Sequence, residues 1–299
     1  MNAAISTIES LYTNAGTVDI AFQGGTGLGA STTTAYGLSY SAYTQALVNA
    51  AAQEPTNSVL ASAVANLSKG NDASGTVGIA ATAADLRVGL GLSSYAGATA
   101  LNGQTFDGVI TLGTQSNSFF YGTTPVSGAY SAISVTEHEI NEVLGGGGPG
   151  STLNALATGN SPLDQYYGAL DLYRYAAAGV PSYTTAATTA VPGSSTLIPV
   201  TSFLSVDGGQ TNIVNFNQTG TGDYADFGPS GYIQSATGSP GVYPTYTTSS
   251  PTFTMMQALG YAGATVTTTS VPEPASLLVL AAGVGGLRVV RRRRRRPVQ

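Results

Sequence analysis

The segment Thr136-Glu137-His138-Glu139-Ile140-Asn141-Glu142-Val143-Leu144-Gly145 contains the only histidine of this 299-residue chain. In a helix, residues four apart lie on the same face, about 6 Å from each other. His138 and Glu142 can therefore bind one metal ion, with Glu139 placed beside a water molecule on that ion. The segment predicts a helix that carries a metal site, and the fold is expected to be built around that helix.

Charged residues are scarce in the chain, which has 10 basic and 15 acidic side chains in all. Nevertheless, four ionisable residues, Glu137, His138, Glu139 and Glu142, lie within a short segment flanked by apolar positions. This concentration favours a metal site. The alternative is a solvent-exposed helix face, with Gly145 as an ordinary C-terminal helix cap.

The segment resembles the zincin motif His-Glu-x-x-His, and Val143-Leu144-Gly145 continues it as in metzincins. Glu142 occupies the place of the second histidine, and the third metzincin ligand would fall at Gly148, which has no side chain. Over residues 17–261 the chain is similar to a bacterial family of metzincin-like zinc metalloproteases that carry PEP-CTERM tags, in which Glu at the second ligand position is usual. The other matching segments are Leu170-Asp171-Leu172-Tyr173-Arg174-Tyr175, Val206-Asp207-Gly208-Gly209, Gly222-Asp223 and Ala258-Leu259-Gly260-Tyr261.

This resemblance implies a Zn²⁺ ion held by His138 and Glu142, with Glu139 as the general base. Zinc lowers the pKa of a bound water to about 7, and an adjacent carboxylate can take its proton as it attacks a peptide carbonyl. Because one imidazole ligand is replaced by a carboxylate, Mn²⁺ or Ca²⁺ is admitted more readily. We expect Asp171 to supply the missing ligand, since its segment follows the helix closely. The other candidates are Asp164, Asp223 and Asp226.

The order of elements predicts an α+β fold of the zincin or metzincin type, with helices packed on a twisted mixed sheet and a loop-rich C-terminal subdomain after Gly145. We expect Gly108–Gly113 to be an edge strand that pairs with an extended peptide substrate. Strands are predicted at residues 18–22, 77–79 and 109–112, and a hairpin at 203–206 and 211–216. Helices are predicted at residues 41–52, 58–68, 81–88, 131–144 and 252–259.

The C-terminal segment closely resembles a PEP-CTERM sorting signal. Pro272, Glu273 and Pro274 are followed by an apolar run at residues 275–287 and an arginine cluster at 291–296. The resemblance implies a partner enzyme of the exosortase type. The apolar run would reach roughly 20 Å, which is short for a hydrocarbon core of about 30 Å. We therefore expect a transient anchor in the inner membrane with its arginines in the cytoplasm, followed by release to the cell surface or outside.

The body of the protein is acidic once this tail is set aside. Lys69, Arg87 and Arg174 remain against 14 acidic residues, a net charge of about −11. This charge excludes nucleic acid as a partner, and the absence of cysteine excludes disulfides. Residues 1–16 lack Lys and Arg and predict a helix, so we expect a signal peptide to be encoded upstream of Met1. The expected organisation is this helix, a metalloprotease-like domain at 17–265 and the sorting signal at 266–299.

Three classes of function compete for this sequence. The first is an exported, metal-dependent endopeptidase acting on a protein or peptide substrate. The second is a catalytically inactive metzincin-fold protein that binds at the cell surface or in the extracellular matrix, since two metal ligands are altered. The third, glycoside hydrolysis by Glu139 and Glu142, is disfavoured because carboxylates on one helix cannot face each other across a sugar bond.

Overall fold

The computed structural model describes residues 1–67, 78–115, 118–154, 165–190, 192, 194–219 and 222–264, and Met1–Ala264 form one compact unit. The sorting signal predicted at 266–299 and the candidate ligand Asp164 lie outside the described residues. The α-helices are α1 (Asn2–Leu11), α2 (Tyr40–Gln53), α3 (Ser58–Asn66), α4 (Ala132–Val143) and α5 (Pro251–Ala258). The strands are β1 (Ile20–Gly25), β2 (Gly29–Thr33), β3 (Ala35–Leu38), β4 (Gly78–Thr82), β5 (Thr99–Leu101), β6 (Gln104–Phe106), β7 (Gly108–Gly113), β8 (Phe119–Phe120), β9 (Tyr130–Ser131), β10 (Tyr166–Gly168), β11 (Arg174–Ala177), β12 (Val180–Pro181), β13 (Thr188–Ala190), β14 (Leu197–Pro199), β15 (Phe203–Leu204) and β16 (Val214–Asn215).

The architecture is a mixture of helices and several small sheets. Two sheets have three strands each, in the orders β1-β7-β2 and β10-β4-β3. β1 and β7 are parallel, as are β4 and β10, and the other two pairs are antiparallel. Thr34 connects the two sheets, because its amide donates to Asp107 O at 3.3 Å and its carbonyl accepts from the Ala83 amide at 2.8 Å. The expected single mixed sheet is therefore divided in two at Thr34.

The position of β7 corrects one prediction. Gly108–Gly113 was expected at the edge of the sheet, but it lies between β1 and β2. Its residues Val109 and Ile110 are buried, and a strand covered on both sides takes such an apolar pair. The two edges belong to β1, which is parallel to β7, and to β2, which runs antiparallel to it. A substrate that pairs with this sheet would therefore pair with β1 or β2.

Most of the predicted helices form where their apolar spacing places them. α2 begins after Ser39, whose side chain accepts from the Ala42 amide, and α3 begins after Asn57, whose side chain accepts from the Leu60 amide. Such caps satisfy amides that have no partner within the helix. The predicted helix at 81–88 is different, since strand β4 continues to Thr82 and only a π-helical turn, Asp85–Gly89, follows. The predicted hairpin near residue 210 is present in a shorter form, as antiparallel β15 and β16.

The beginning and the end of the compact unit are joined by a short seam, defined here as residues 11–13 and 262–264. The Thr13 amide donates to Ala262 O at 2.9 Å, and the Ala264 amide donates to Leu11 O at 2.8 Å. α1 also packs against α4, with Ala4, Ile8 and Leu11 buried. The first helix is therefore part of the folded body.

Asp85 is a buried carboxyl group beneath the C-terminal end of α4. It is 0% exposed, Tyr43 donates to its Oδ2 at 3.1 Å, and its Oδ1 has no hydrogen-bond partner among the described residues. Burial raises the pKa of Asp85 well above its ordinary value of 3.8, and the Tyr43 hydrogen bond acts weakly in the opposite direction. Asp85 is therefore held in its protonated form in the folded protein.

This burial predicts a pH-dependent stability. In unfolded chains Asp85 ionises near its ordinary pKa of 3.8, whereas in the folded protein it stays protonated to a higher pH. The folded state thus gains stability from this group below about pH 4 and loses it as pH rises. We expect Asp85→Asn to raise the free energy of unfolding at pH 8 by about 1–3 kcal/mol. Thermal denaturation followed by circular dichroism at pH 4 and pH 8 checks this, and an equal difference at both pH values would contradict it.

Candidate metal centre

Helix α4 forms as the sequence predicts and is closed at both ends by specific contacts. At its start, the Ser131 side chain accepts from the Ser134 amide at 3.1 Å. At its end, Gly145 adopts φ +102°, a conformation that favours glycine, and a Cβ there would lie only 3.0 Å from Asp85 Cβ. The chain turns sharply at Gly145. As a result, Gly148 lies beside the side chain of Glu142.

His138 is oriented by a backbone carbonyl. Its Nδ1 lies 2.9 Å from Ile233 O, and because a carbonyl only accepts, Nδ1 carries the proton. In the neutral ring Nε2 then presents a lone pair, and it lies 3.3 Å from Gln234 Nε2. It also lies 3.5 Å from Glu142 Oε1 and 3.7 Å from Asp226 Oδ2. Carboxylates from two distant parts of the chain thus approach the same imidazole nitrogen.

Two aspartates from residues 222–226 complete an acidic cluster around Glu142. One carboxylate oxygen from each of Glu142, Asp223 and Asp226 lies within 4.8 Å of the other two. Gln234 Nε2 donates to Asp226 Oδ1 at 3.0 Å, which leaves Oδ2 directed toward His138. Glu139 joins the same cluster, with an oxygen within 4.8 Å of ligand atoms of His138 and Glu142.

Asp171, the ligand that we expected from the sequence, is not brought to this cluster. Its side chain is 1% exposed and accepts hydrogen bonds from Ser151 Oγ at 2.7 Å, the Thr152 amide at 3.2 Å and the Gly168 amide at 2.8 Å. These contacts occupy both carboxylate oxygens. Asp171 therefore ties together the loop after α4 and a 3₁₀ helix, whereas the carboxylate of Asp226, another of the candidates, lies 3.7 Å from His138 Nε2.

The absence of a side chain at Gly148 leaves room for the carboxylate of Asp223 beside that of Glu142. A Cβ at Gly148 would lie 2.7 Å from Asp223 Oδ2 and 2.7 Å from Glu142 Oε1, closer than any real contact of that kind. The Gly148 amide also donates to Glu142 Oε1 at 3.2 Å. The residue that stands at the third metzincin position thus leaves its space to an aspartate from another segment.

This packing predicts that Gly148→Ala weakens cation binding while the body stays folded. The added methyl group would collide with Glu142 Oε1 and with Asp223 Oδ2, and displacement of Glu142 separates it from the other ligand atoms. We expect at least a 10-fold loss of metal affinity, comparable to disturbing groups that orient metal ligands. Gly122→Ala is the control, because a Cβ at Gly122 would come no closer than 4.0 Å to any residue beyond its two chain neighbours, and Gly122 lies outside the cleft. Competition with a coloured chelator measures the affinity, and equal affinities for the two variants would contradict the prediction.

Glu139 is the buried carboxylate without a fixed partner. It is 5% exposed, and its Oε2 has no hydrogen-bond partner among the described residues. The backbone of Gly29 passes so close that a Cβ there would lie 2.4 Å from Glu139 Oε1. Ser31 Oγ donates to Glu142 Oε2 at 2.6 Å. Edge strand β2 therefore forms a wall directly beside these two glutamates.

The ionisable groups of the cluster perturb one another strongly. Burial and then Glu142 raise the pKa of Glu139 to about 8, and burial raises the pKa of Asp226 to about 7. Burial disfavours a charged His138, but Asp226 and Glu142 outweigh it and raise its pKa well above the usual value. Burial likewise opposes ionisation of Glu142, yet its contact with His138 leaves its pKa lowered. Several carboxylates gathered around one imidazole are a donor set that a divalent cation can bind.

The cluster opens into a cleft of about 350 Å³. The cleft lies between β2, α4 and residues 231–244, and its described lining contains no Lys or Arg. The sequence predicted His138, Glu139 and Glu142 but gave no sign of Ser31 or Gln234. Ser31 lies in a strand of small and polar residues and Gln234 lies in a loop. Neither belongs to a motif whose spacing would identify it.

Comparison with known proteins identifies the C-terminal tail. A family model described as the PEP-CTERM protein-sorting motif matches residues 270–295, which include Pro272, Glu273 and Pro274. The chain therefore carries a C-terminal sorting tag that implies export, and such a tag is a substrate signal for exosortase-type processing. No curated protein and no solved structure matches the chain. Within the described residues, no helix is long and apolar enough to cross a membrane.

Proposed function

We propose that the exported body is a metal-dependent endopeptidase whose ion is held by His138, Glu142 and Asp226. The observation that carries this proposal is the spacing of the three ligand atoms. His138 Nε2 lies 3.5 Å from Glu142 Oε1 and 3.7 Å from Asp226 Oδ2. Ligands at about 2.1 Å from a tetrahedral zinc ion are about 3.4 Å apart, and both distances from His138 Nε2 are close to that value.

The donor set selects the class of metal. One imidazole and two carboxylates suit Zn²⁺ and also Mn²⁺, whereas Ca²⁺ prefers oxygen ligands throughout. The hydrogen bond from His138 Nδ1 to Ile233 O and the one from Gln234 to Asp226 are of the kind that orients metal ligands. We therefore propose Zn²⁺ as the native ion, with Mn²⁺ as its closest competitor.

Glu139 has the position and the environment of a general base. A bound zinc ion would supply an acidified water and polarise the substrate carbonyl. Glu139 accepts a proton at its unpartnered Oε2 and passes it to the nitrogen of the leaving amine. Burial and Glu142 raise the pKa of Glu139 to about 8, and a nearby cation would lower it toward the range in which a carboxylate accepts protons near neutral pH.

The cleft favours an extended polypeptide as the substrate. β2 pairs on one side with β7, and no described strand pairs with its other side. Its residues Gly29, Ala30 and Ser31 line the cleft and are small, so that a substrate strand can approach the backbone closely. A terminal carboxylate would find no basic partner in the described lining. Cleavage within a chain is therefore favoured over removal of a C-terminal residue.

Metal analysis together with a protease assay tests this proposal. We expect about one Zn²⁺ per purified protein chain by elemental analysis, its loss in His138→Ala, and cleavage of casein that a chelator stops and added Zn²⁺ restores. A folded wild-type protein that binds no divalent metal would refute the proposed site. Metal binding without cleavage of casein, gelatin or a peptide library would favour the non-catalytic binding protein instead.

The tail predicts a processed product. We propose that the apolar run at 275–287 anchors the protein transiently and that processing separates the body from the arginine cluster at 291–296. The mature protein should then end near Pro272-Glu273-Pro274, because the apolar run and the arginines follow that motif. Mass spectrometry of protein recovered outside the cytoplasm measures its C-terminal end. Recovery of intact Gln299 on all exported protein would contradict the processing step.

A further inference from the structure

Arg174 is a buried basic residue that the proposed chemistry does not use. It is 1% exposed, and its guanidinium carbon lies 4.8 Å from the centre of the Phe216 ring and 5.8 Å from that of Tyr224. Burial lowers the pKa of Arg174 to about 10, while Asp171 acts in the opposite direction. No carboxylate lies within ion-pair distance of it in the described part of the chain. A buried cation of this kind is costly and calls for another role.

The hydrogen bonds of Arg174 lead to the loop that carries the aspartates. Nη1 donates to Tyr224 O, which lies in the sequence between Asp223 and Asp226. Nη2 donates to Asn217 O at 3.2 Å and to the side chain of Gln218. The guanidinium group of Arg174 thus fixes the carbonyl of Tyr224, in the loop that carries Asp223 and Asp226, and also residues 217–218.

Asn217 extends the same contacts to both aspartates. Its amide donates to Asp226 O at 2.7 Å, and its side-chain Nδ2 donates to Asp223 O at 3.2 Å. Residues 222–226 contain no helix or strand that could fix their direction. The backbone carbonyls at 223, 224 and 226 are instead held by donors from Asn217 and Arg174.

We propose that Arg174 and Asn217 are positioning residues that set the ligand loop at residues 222–226 for cation binding, an inference that rests on the proposed metal site. Both residues act on backbone carbonyls of the loop and supply no ligand atom themselves.

The test uses the full-length protein with Co²⁺ in place of zinc, since Co²⁺ absorption reports both affinity and ligand geometry. Arg174→Lys and Arg174→Met should each weaken binding by about 10–100-fold, the loss typical of removing groups that orient ligands. Lysine should retain more affinity than methionine, because it keeps a charge and one donor to the loop. The remaining metal-bound protein should show an altered Co²⁺ spectrum.

Two further variants separate positioning from general destabilisation. Leu60→Ala removes a fully buried side chain in α3, and it should lower the unfolding temperature while leaving Co²⁺ affinity and spectrum unchanged. Asn217→Asp keeps the side-chain shape but replaces the donor to Asp223 O. Its added negative charge alone would strengthen cation binding, so weaker binding reports a displaced loop. This variant also decides the matter if the Arg174 variants do not fold.

Wild-type affinity and spectrum in the folded Arg174 variants and in Asn217→Asp would overturn the positioning role and leave the proposed metal site intact. A comparable loss of affinity in Leu60→Ala would also overturn it, since stability alone would then explain the result. A wild-type protein that binds no Co²⁺ would instead refute the metal site on which the inference rests.

Discussion

Glu139→Gln is expected to lower the rate of peptide hydrolysis by about 10²–10⁴-fold while the bound metal is retained. Glutamine keeps the shape of the side chain beside Gly29 but cannot accept a proton as a carboxylate does. The ligands His138, Glu142 and Asp226 are unchanged, so the ion should still bind. Steady-state cleavage of a fluorogenic peptide, with metal content measured on the same sample, checks both parts.

Glu9→Gln is the matched control for this experiment. Glu9 is exposed on α1, so Glu9→Gln makes the same change of charge outside the cleft. Full activity is expected for that variant. Full activity in Glu139→Gln would show that another group accepts the proton, and loss of the metal would show that Glu139 is itself a ligand.

Asp226→Asn is expected to weaken metal binding by more than about 100-fold, because the loss of groups that only orient ligands already costs 10–100-fold. The metal-free variant should be at least as stable as the wild type at pH 8. Burial raises the pKa of Asp226 to about 7, so at pH 8 the substitution removes a charged carboxylate from an acidic cluster. Isothermal titration with Zn²⁺ and thermal denaturation of the metal-free protein measure the two effects.

The comparison with Asp171→Asn distinguishes the two aspartates. Asp171 is not a proposed ligand, so its substitution should weaken Zn²⁺ binding less than Asp226→Asn and should lower stability, because three hydrogen bonds are disturbed. Asp19→Asn, an exposed site, should change neither quantity. A larger loss of affinity in Asp171→Asn than in Asp226→Asn would contradict the ligand assignment.

The local part of the candidate site was predictable from the sequence. His138, Glu139 and Glu142 lie on one short helix, where spacing alone fixes which side chains share a face. The end of that helix at Gly145 was equally readable, because glycine readily adopts the positive φ found there. The same reasoning gave the positions of α2, α3 and α5, whose apolar residues recur at helical intervals.

The distant part of the site was not predictable in this way. Asp226 reaches His138 across 88 positions of sequence, through a loop without regular structure, and no local pattern specifies that approach. Asp171 lies closer in sequence, but Ser151 Oγ donates to its Oδ1 and the amides of Thr152 and Gly168 donate to its Oδ2. The prediction that Gly108–Gly113 lies at the edge of the sheet was wrong for a similar reason. An apolar sequence is compatible with both an edge strand and a central strand.

The hydrogen bonds of the seam between residues 11–13 and 262–264 lie entirely within the body, ahead of the C-terminal tail. The last of its hydrogen bonds is made by the Ala264 amide, ahead of the Pro272-Glu273-Pro274 motif in the sequence. Cleavage at the motif therefore breaks no contact of the seam. After such a cleavage the body would keep its first helix fastened to residues 262–264.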